Sequence, residues 1–300
     1  MHSMRSLIKI LFGIFLIPYL SSCQQGPLKS TDFSEEAAFT SGIEGPAVNA
    51  EGLLFAVNFE KEGTIGKVDQ NGKGELYLTL PEGSIGNGIR FDADGNMFIA
   101  DYKGHSVYRV SPGTSVPEIW VRDTTMNQPN DLAMDYKGGI YLSDPNWAES
   151  TGNLWYVSPD RKLIRLEENM GTTNGVEVSP DGKYLYVNES VQRKVWRYSI
   201  DENGRVSGKA LFHSFENFGM DGMRCDMKGN LYITRYGKGT VAILNPDGKL
   251  LEEVILKGKK PSNITFGGAD GTTCFVTLQD RGCLEQFSAL NPGNHYNKIH

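Results

Sequence analysis

Glu44, Asn87, Asn130, Asn174, Asp221 and Asn263 each open a segment of one design, from EGPAVNAEGLLFAVN at Glu44 to NITFGGADGTTCFVT at Asn263. Subtracting those positions gives intervals of 43, 43, 44, 47 and 42 residues. Two of the six side chains are carboxylates and four are carboxamides. A ring of such oxygens suits a hard divalent cation, calcium ahead of magnesium, because calcium accepts many ligands in irregular geometry. No histidine or cysteine stands at these positions, which argues against zinc and copper. A second reading stands beside this one. Asn87-Gly88, Asn174-Gly175 and Asp221-Gly222 are turn-forming dipeptides, and turns alone would explain them. Against it, each repeat carries a separate glycine turn several residues later, and Glu44 before Gly45-Pro46 is a poor turn former.

A polar ring needs a scaffold that repeats about an axis, and the rest of each segment supplies one. In the fourth repeat Val176 and Val178 alternate with polar partners, and Ser179-Pro180-Asp181-Gly182 forms a turn. Two further alternating stretches cover 184–188 and 195–200, and a fourth strand is expected over 210–215. Asp94-Gly95, Lys137-Gly138, Lys228-Gly229 and Asp270-Gly271 hold the same first turn in the other repeats. A period near 43 residues filled with short strands predicts an all-β, six-bladed β-propeller with four antiparallel strands per blade. The last repeat is one strand short. An N-terminal strand, placed at 36–40, is expected to complete it and close the ring.

Composition sets the surroundings. The formal net charge is −6. Arg5 and Lys9 are the only charged residues within 1–22, so without that stretch 28 basic residues face 36 acidic ones, or −8. That balance excludes a nucleic-acid partner. Residues 1–22 read as a lipoprotein signal peptide, with a basic start, an apolar run over 10–20 too short to span a bilayer, and Leu20-Ser21-Ser22-Cys23 as a lipobox. The expectation is export to a bacterial cell envelope and a lipid anchor on Cys23, the only membrane contact. A tether (23–35), the propeller (36–290) and a loosely held tail (291–300) follow, in a monomer. Cys225 falls on a strand. Cys274 and Cys283 lie on one hairpin but not opposite each other, so no bridge is expected.

Several motifs together resemble the senescence-marker-protein/gluconolactonase family: Ile43-Glu44-Gly45-Pro46, Gln128-Pro129-Asn130-Asp131-Leu132, Asn174-Gly175-Val176-Glu177-Val178, Asp221-Gly222-Met223 and Pro261-Ser262-Asn263-Ile264-Thr265-Phe266-Gly267-Gly268. The resemblance runs in order from about Ser41 to Ser288. It implies a six-bladed propeller with metal ligands at Glu44, Asn174 and Asp221, and in some members at Asn130. It further implies that Asp221 is the acid/base residue, so that the chain opens a small lactone or related ester with calcium. Asn87 and Asn130 would position substrate oxygens, with Gln128 beside them and Glu149 offered by the loop after the third repeat's second strand. Two departures weaken gluconolactone itself as the substrate. Gln128 stands where animal members carry a sugar-binding arginine, and Tyr102 where many bacterial members carry histidine; His105 inherits no role. The alternatives are a phosphotriesterase or arylesterase with the same site, and a non-catalytic envelope propeller with structural calcium. No Gly-x-Ser-x-Gly segment is present, which disfavours a serine hydrolase.

Overall fold

The alternation of the fourth repeat becomes four antiparallel strands, Thr173–Val178, Tyr184–Glu189, Lys194–Ile200 and Val206–Ser214, paired in chain order. In the computed structural model, which describes residues 28–294, this blade recurs as six four-stranded sheets. The first strands of successive blades contact one another in a closed circle and surround a central channel. Each blade is covered by a neighbour on either side, so apolar residues meet in six inter-blade clusters. Ala133, Tyr141 and Leu154 of the third blade, for example, pack on Val176, Leu185 and Val187 of the fourth. Burial of such residues is the main stabilising contribution. The proposed signal peptide, Cys23 and the start of the tether lie outside the described residues.

The ring closes with an N-terminal strand, but not at 36–40. Thr31–Asp32 pairs antiparallel with Cys283–Ser288 and completes the sixth blade. Residues 36–40 carry the chain across that blade: the N–H groups of Ala37 and Phe39 donate to Arg281 and Gly282. Phe39 then starts the long inner strand of the first blade, Phe39–Val48, with its ring against Phe59. Residues 291–294, the start of the expected loose tail, are held by hydrogen bonds. Met227 N–H donates to Pro292 O, Gly293 N–H to Gly271 O and Asn294 N–H to Cys225 O, at 2.8, 3.0 and 2.9 Å. Asn294 Nδ2 reaches Val178 O on the fourth blade at 3.3 Å. Residues 295–300 lie outside the described residues. Cys225, Cys274 and Cys283 are buried free thiols, and Cys274 faces Phe287 rather than Cys283.

Charge fastens the closure. Arg281 contacts Asp32 at 2.7 Å, Glu285 at 2.6 Å, and Glu36. Asp32 and Glu36 are largely exposed and contribute little. Glu285 is fully buried and also accepts the N–H groups of Lys257 and Gly258 at 3.0 and 2.9 Å. Arg281→Ala leaves that buried carboxylate without its cation. The expected loss is about 2–3 kcal/mol, a fall of roughly 4–8 °C in melting temperature by calorimetry. An unchanged melting temperature would show that the closure does not rest on this pair.

Candidate active site

The six openers are not turns. Glu44-Gly45, Asn87-Gly88 and Asn174-Gly175 lie inside inner strands, and Asp221-Gly222 leads directly into one, Met223–Cys225. The glycines answer a different need, the close approach of the next blade. A Cβ on Gly45, whose φ is +55°, would sit 2.1 Å from the carbonyl oxygen of Asn87. One on Gly175 would sit 2.4 Å from the carbonyl oxygen of Asp221. Only glycine lets neighbouring openers draw together around the axis.

Glu44, Asn87, Gln128, Asn130, Asn174 and Asp221 line one cavity of about 380 Å³ at an end of the channel. Glu149 does not line it; that residue is exposed, and Trp147, two positions earlier, lines the cavity instead. Asn263 lies behind the ring, where it hydrogen-bonds the Glu44 carboxyl and accepts from Ile264 N–H at 2.9 Å.

The electrostatics of the ring fit a cation. The Glu44 and Asp221 carboxyls hydrogen-bond each other. Burial, ahead of every other influence, pushes Glu44 up to about 7, against the pull of the Gly45 N–H at 2.5 Å. Burial and then the Glu44 charge push Asp221 well above the ordinary carboxylate range. Beside this pair, the Oδ1 atoms of Asn130 and Asn174 are buried and have no hydrogen-bond partner. An orphaned buried acceptor is costly, and two of them next to two crowded carboxylates form a set that a hard divalent cation would satisfy.

Charge deeper in the channel supports the same reading. Asp131, fully buried, meets Arg90 at 3.1 Å and Arg224 at 3.8 Å, and Arg90 lies 3.8 Å from Glu177. With Glu44 and Asp221, four carboxylates face two guanidinium groups. Once Glu44 and Asp221 give up the protons that burial favours, the shortfall is two positive charges, which one divalent ion would offset.

The last residue of each repeated segment holds the loops in place, a role the sequence reading missed. Asn58, Asp101, Asp144, Asn188, Arg235 and Thr277 are all buried. Asn58 donates to Gly42 O at 2.7 Å, and Asp101 accepts Ile85 N–H at 3.0 Å. Asp144 accepts the N–H groups of Asn127 and Gln128, each at 2.7 Å, and so aims the segment carrying Gln128 and Asn130. Thr277 accepts Asn263 N–H at 3.0 Å. The approach to Asp221 is gripped from both sides. Arg235 donates to the carbonyls of Asn217 and Gly219, while Asn188 donates to Asp221 O at 2.6 Å. The signal was available in the sequence as a polar residue closing each apolar strand.

Residues 42–280 match the family profile described as SMP-30/Gluconolactonase/LRE-like region. A gluconolactonase of Zymomonas mobilis is 31% identical over 216 residues, which cover 64% of this chain and 60% of that protein. That match therefore spans less than two thirds of the relative's length. A lactonase drp35 of Staphylococcus aureus is 25% identical over 255 residues, 81% of this chain and 78% of that one. Among solved structures, a regucalcin from Agrobacterium tumefaciens, described as a calcium-binding protein, aligns with a TM-score of 0.77 at 20% identity. The alignment covers 89% of this chain and 98% of the regucalcin. A gluconolactonase from Xanthomonas campestris aligns at 0.73 and 22% identity, covering 86% and 88% of the two chains. At those identities the structural likeness speaks to the fold.

Proposed function

Because the chain belongs to the SMP-30/gluconolactonase/LRE-like family, we propose that it is a lactonase-type hydrolase that opens small lactones with a calcium ion held by Glu44, Asn130, Asn174 and Asp221. The observation that carries the reading is the pair of unpartnered buried oxygens of Asn130 and Asn174 beside the hydrogen-bonded carboxyls of Glu44 and Asp221. When bound, the cation would supply Lewis-acid polarisation of the ester carbonyl. The protein's own groups do the rest. Asp221 takes a proton from the attacking water as the new C–O bond forms. It returns that proton to the ring oxygen as the acyl C–O bond breaks, so that one water is added across the ester. The Asn174 side chain hydrogen-bonds the Asp221 carboxylate and favours its charged form. Gln128 and Asn87 orient substrate oxygens from the cavity wall. Export through the N-terminal signal would put this activity at the cell envelope.

The test is hydrolysis of a lactone panel by the purified full chain, followed as acid release, with calcium and with a chelator. Turnover that a chelator abolishes and calcium restores is expected. Calcium binding without turnover of any lactone, arylester or phosphotriester would favour a structural role for the ion and sink the proposal.

A pH dependence follows for the metal-free protein. The folded-state pKa values of Glu44 and Asp221 are raised by burial, so the folded chain keeps protons that the unfolded chain releases. Stability therefore falls as pH rises through the ordinary carboxylate range toward neutrality and beyond. Calcium competes with those protons, so its stabilising effect should be larger at about pH 8 than at about pH 5. Melting curves at the two pH values, with and without calcium, check both signs; a metal-free protein that gains stability with rising pH contradicts this account of the pair.

A further inference from the structure

We propose that Tyr102, Trp147 and Tyr236 form an aromatic mouth that selects neutral lactones carrying a flat apolar face over polyhydroxylated or anionic ones. This rests on the lactonase reading and specifies its substrate. All three residues stand at one structural position, the first residue after the second strand of a blade. They follow Met97–Asp101, Ile140–Asn146 and Leu231–Arg235. That position faces the cavity in the fourth and sixth blades too, through Ser190 and Gln279. The aromatics thus line the same cavity as the buried oxygens of Glu44, Asn130 and Asn174.

Their surroundings fix what they offer. Trp147 is 44% exposed at the cavity edge, a large apolar face left open where burial would otherwise be favourable. Tyr236 is half-buried, and its hydroxyl donates to Gln279 Oε1 at 3.1 Å, so its polar tip already has a partner within the wall. No lysine, arginine or histidine is among the described residues lining the cavity, whereas Glu44, Glu62 and Asp221 are. A divalent ion would offset Glu44 and Asp221, and Glu62 would remain to repel an anion. A lactone whose ester end meets the amides below and whose remote end is a flat ring satisfies both layers. A polyol would forgo the flat contact that a ring makes with the open Trp147 face, and a carboxylate or phosphate would find no cation among the described wall residues.

The experiment uses the calcium-loaded full chain and three probes: a benzo-fused six-membered lactone, gluconolactone, and a lactone bearing a free carboxylate. The benzo-fused lactone should have the highest kcat/KM and the carboxylate the lowest. Trp147→Ala should lower kcat/KM for the benzo-fused probe roughly 3- to 10-fold, mainly through KM, lower it less for gluconolactone, and be rescued by Trp147→Phe. Trp147 is exposed, so its removal leaves the core untouched. The benzo-fused lactone should also quench tryptophan fluorescence, and Trp147→Phe should abolish that quench. Gluconolactone turned over as well as or better than the aryl probe would overturn the proposal. So would a Trp147→Ala effect that is absent or equal for all three, or a quench that survives Trp147→Phe. Failure of every lactone to turn over would instead count against the lactonase reading, and the quench would then decide alone whether the mouth binds flat ligands.

Discussion

Replacing Asp221 by asparagine should reduce lactone turnover about 10²- to 10⁴-fold, the usual worth of a positioned general base, while the cation still binds. The variant keeps an oxygen at the same place and removes the group that takes the proton. Its surroundings are built to hold that group. The backbone N–H of Asp221 donates to Thr234 O at 3.1 Å, Asn188 fixes its carbonyl, and the Asn174 side chain bonds its carboxyl. A side chain so constrained is placed within reach of one reacting position. Glu44→Gln is the informative contrast. It removes a ligand charge rather than the base, so calcium affinity should fall first and turnover should recover as calcium is raised. Full activity in Asp221→Asn with calcium bound would leave the hydrolase standing and remove Asp221 as its base.

The second large effect concerns stability. Asp131→Ala should cost about 3–5 kcal/mol, because it strands buried guanidinium groups whose counter-charge it supplies. The carboxylate ties together blades far apart in sequence. It meets Arg90 of the second blade at 3.1 Å, Arg224 of the fifth at 3.8 Å, and accepts the Val176 N–H of the fourth at 3.3 Å. Arg224 is pressed from its usual range to about 10, by burial first and then by the like charge of Arg90. Asp131 opposes both influences, and its removal leaves them less balanced. Calorimetry should show a fall in melting temperature of roughly 6–15 °C. Combining Asp131→Ala with Arg90→Met should cost less than the two changes added, since neither partner is then left alone. A loss below about 1 kcal/mol would mean that water or another group already satisfies the arginines.

The blade count and the ring of openers were legible because both recur at one phase of a repeat, and recurrence survives local irregularity. Arg90, Glu177 and Arg224 were harder to see. Each stands three residues after an opener, and strict strand alternation puts such a residue on the opposite face. The register of the first two strands slips between Gly86 and Ile89 and between Thr173 and Val176. A bulge of that kind adds one residue, so an opener and the residue three later can both face the channel. Thr31–Asp32 was missed because two residues carry no alternation at all, whereas Phe39 belongs to a ten-residue strand and drew the expected closure toward itself. Glu149 is in the loop expected to face the site, yet the long second strand of the third blade, Ile140–Asn146, ends beside Trp147, which lines the cavity instead. The turn reading of Asn-Gly failed for a reason no single repeat contains: those glycines exist for the backbone of the next blade.

Calcium titrated into chelator-stripped full-length protein, with bound ion and lactone hydrolysis followed together, decides whether the ion is part of the catalytic site. The stripped protein should show no turnover, and activity should rise in step with binding and reach its limit at one ion per chain. Undiminished hydrolysis in the presence of chelator, or a fully loaded site with no hydrolysis, would contradict that role.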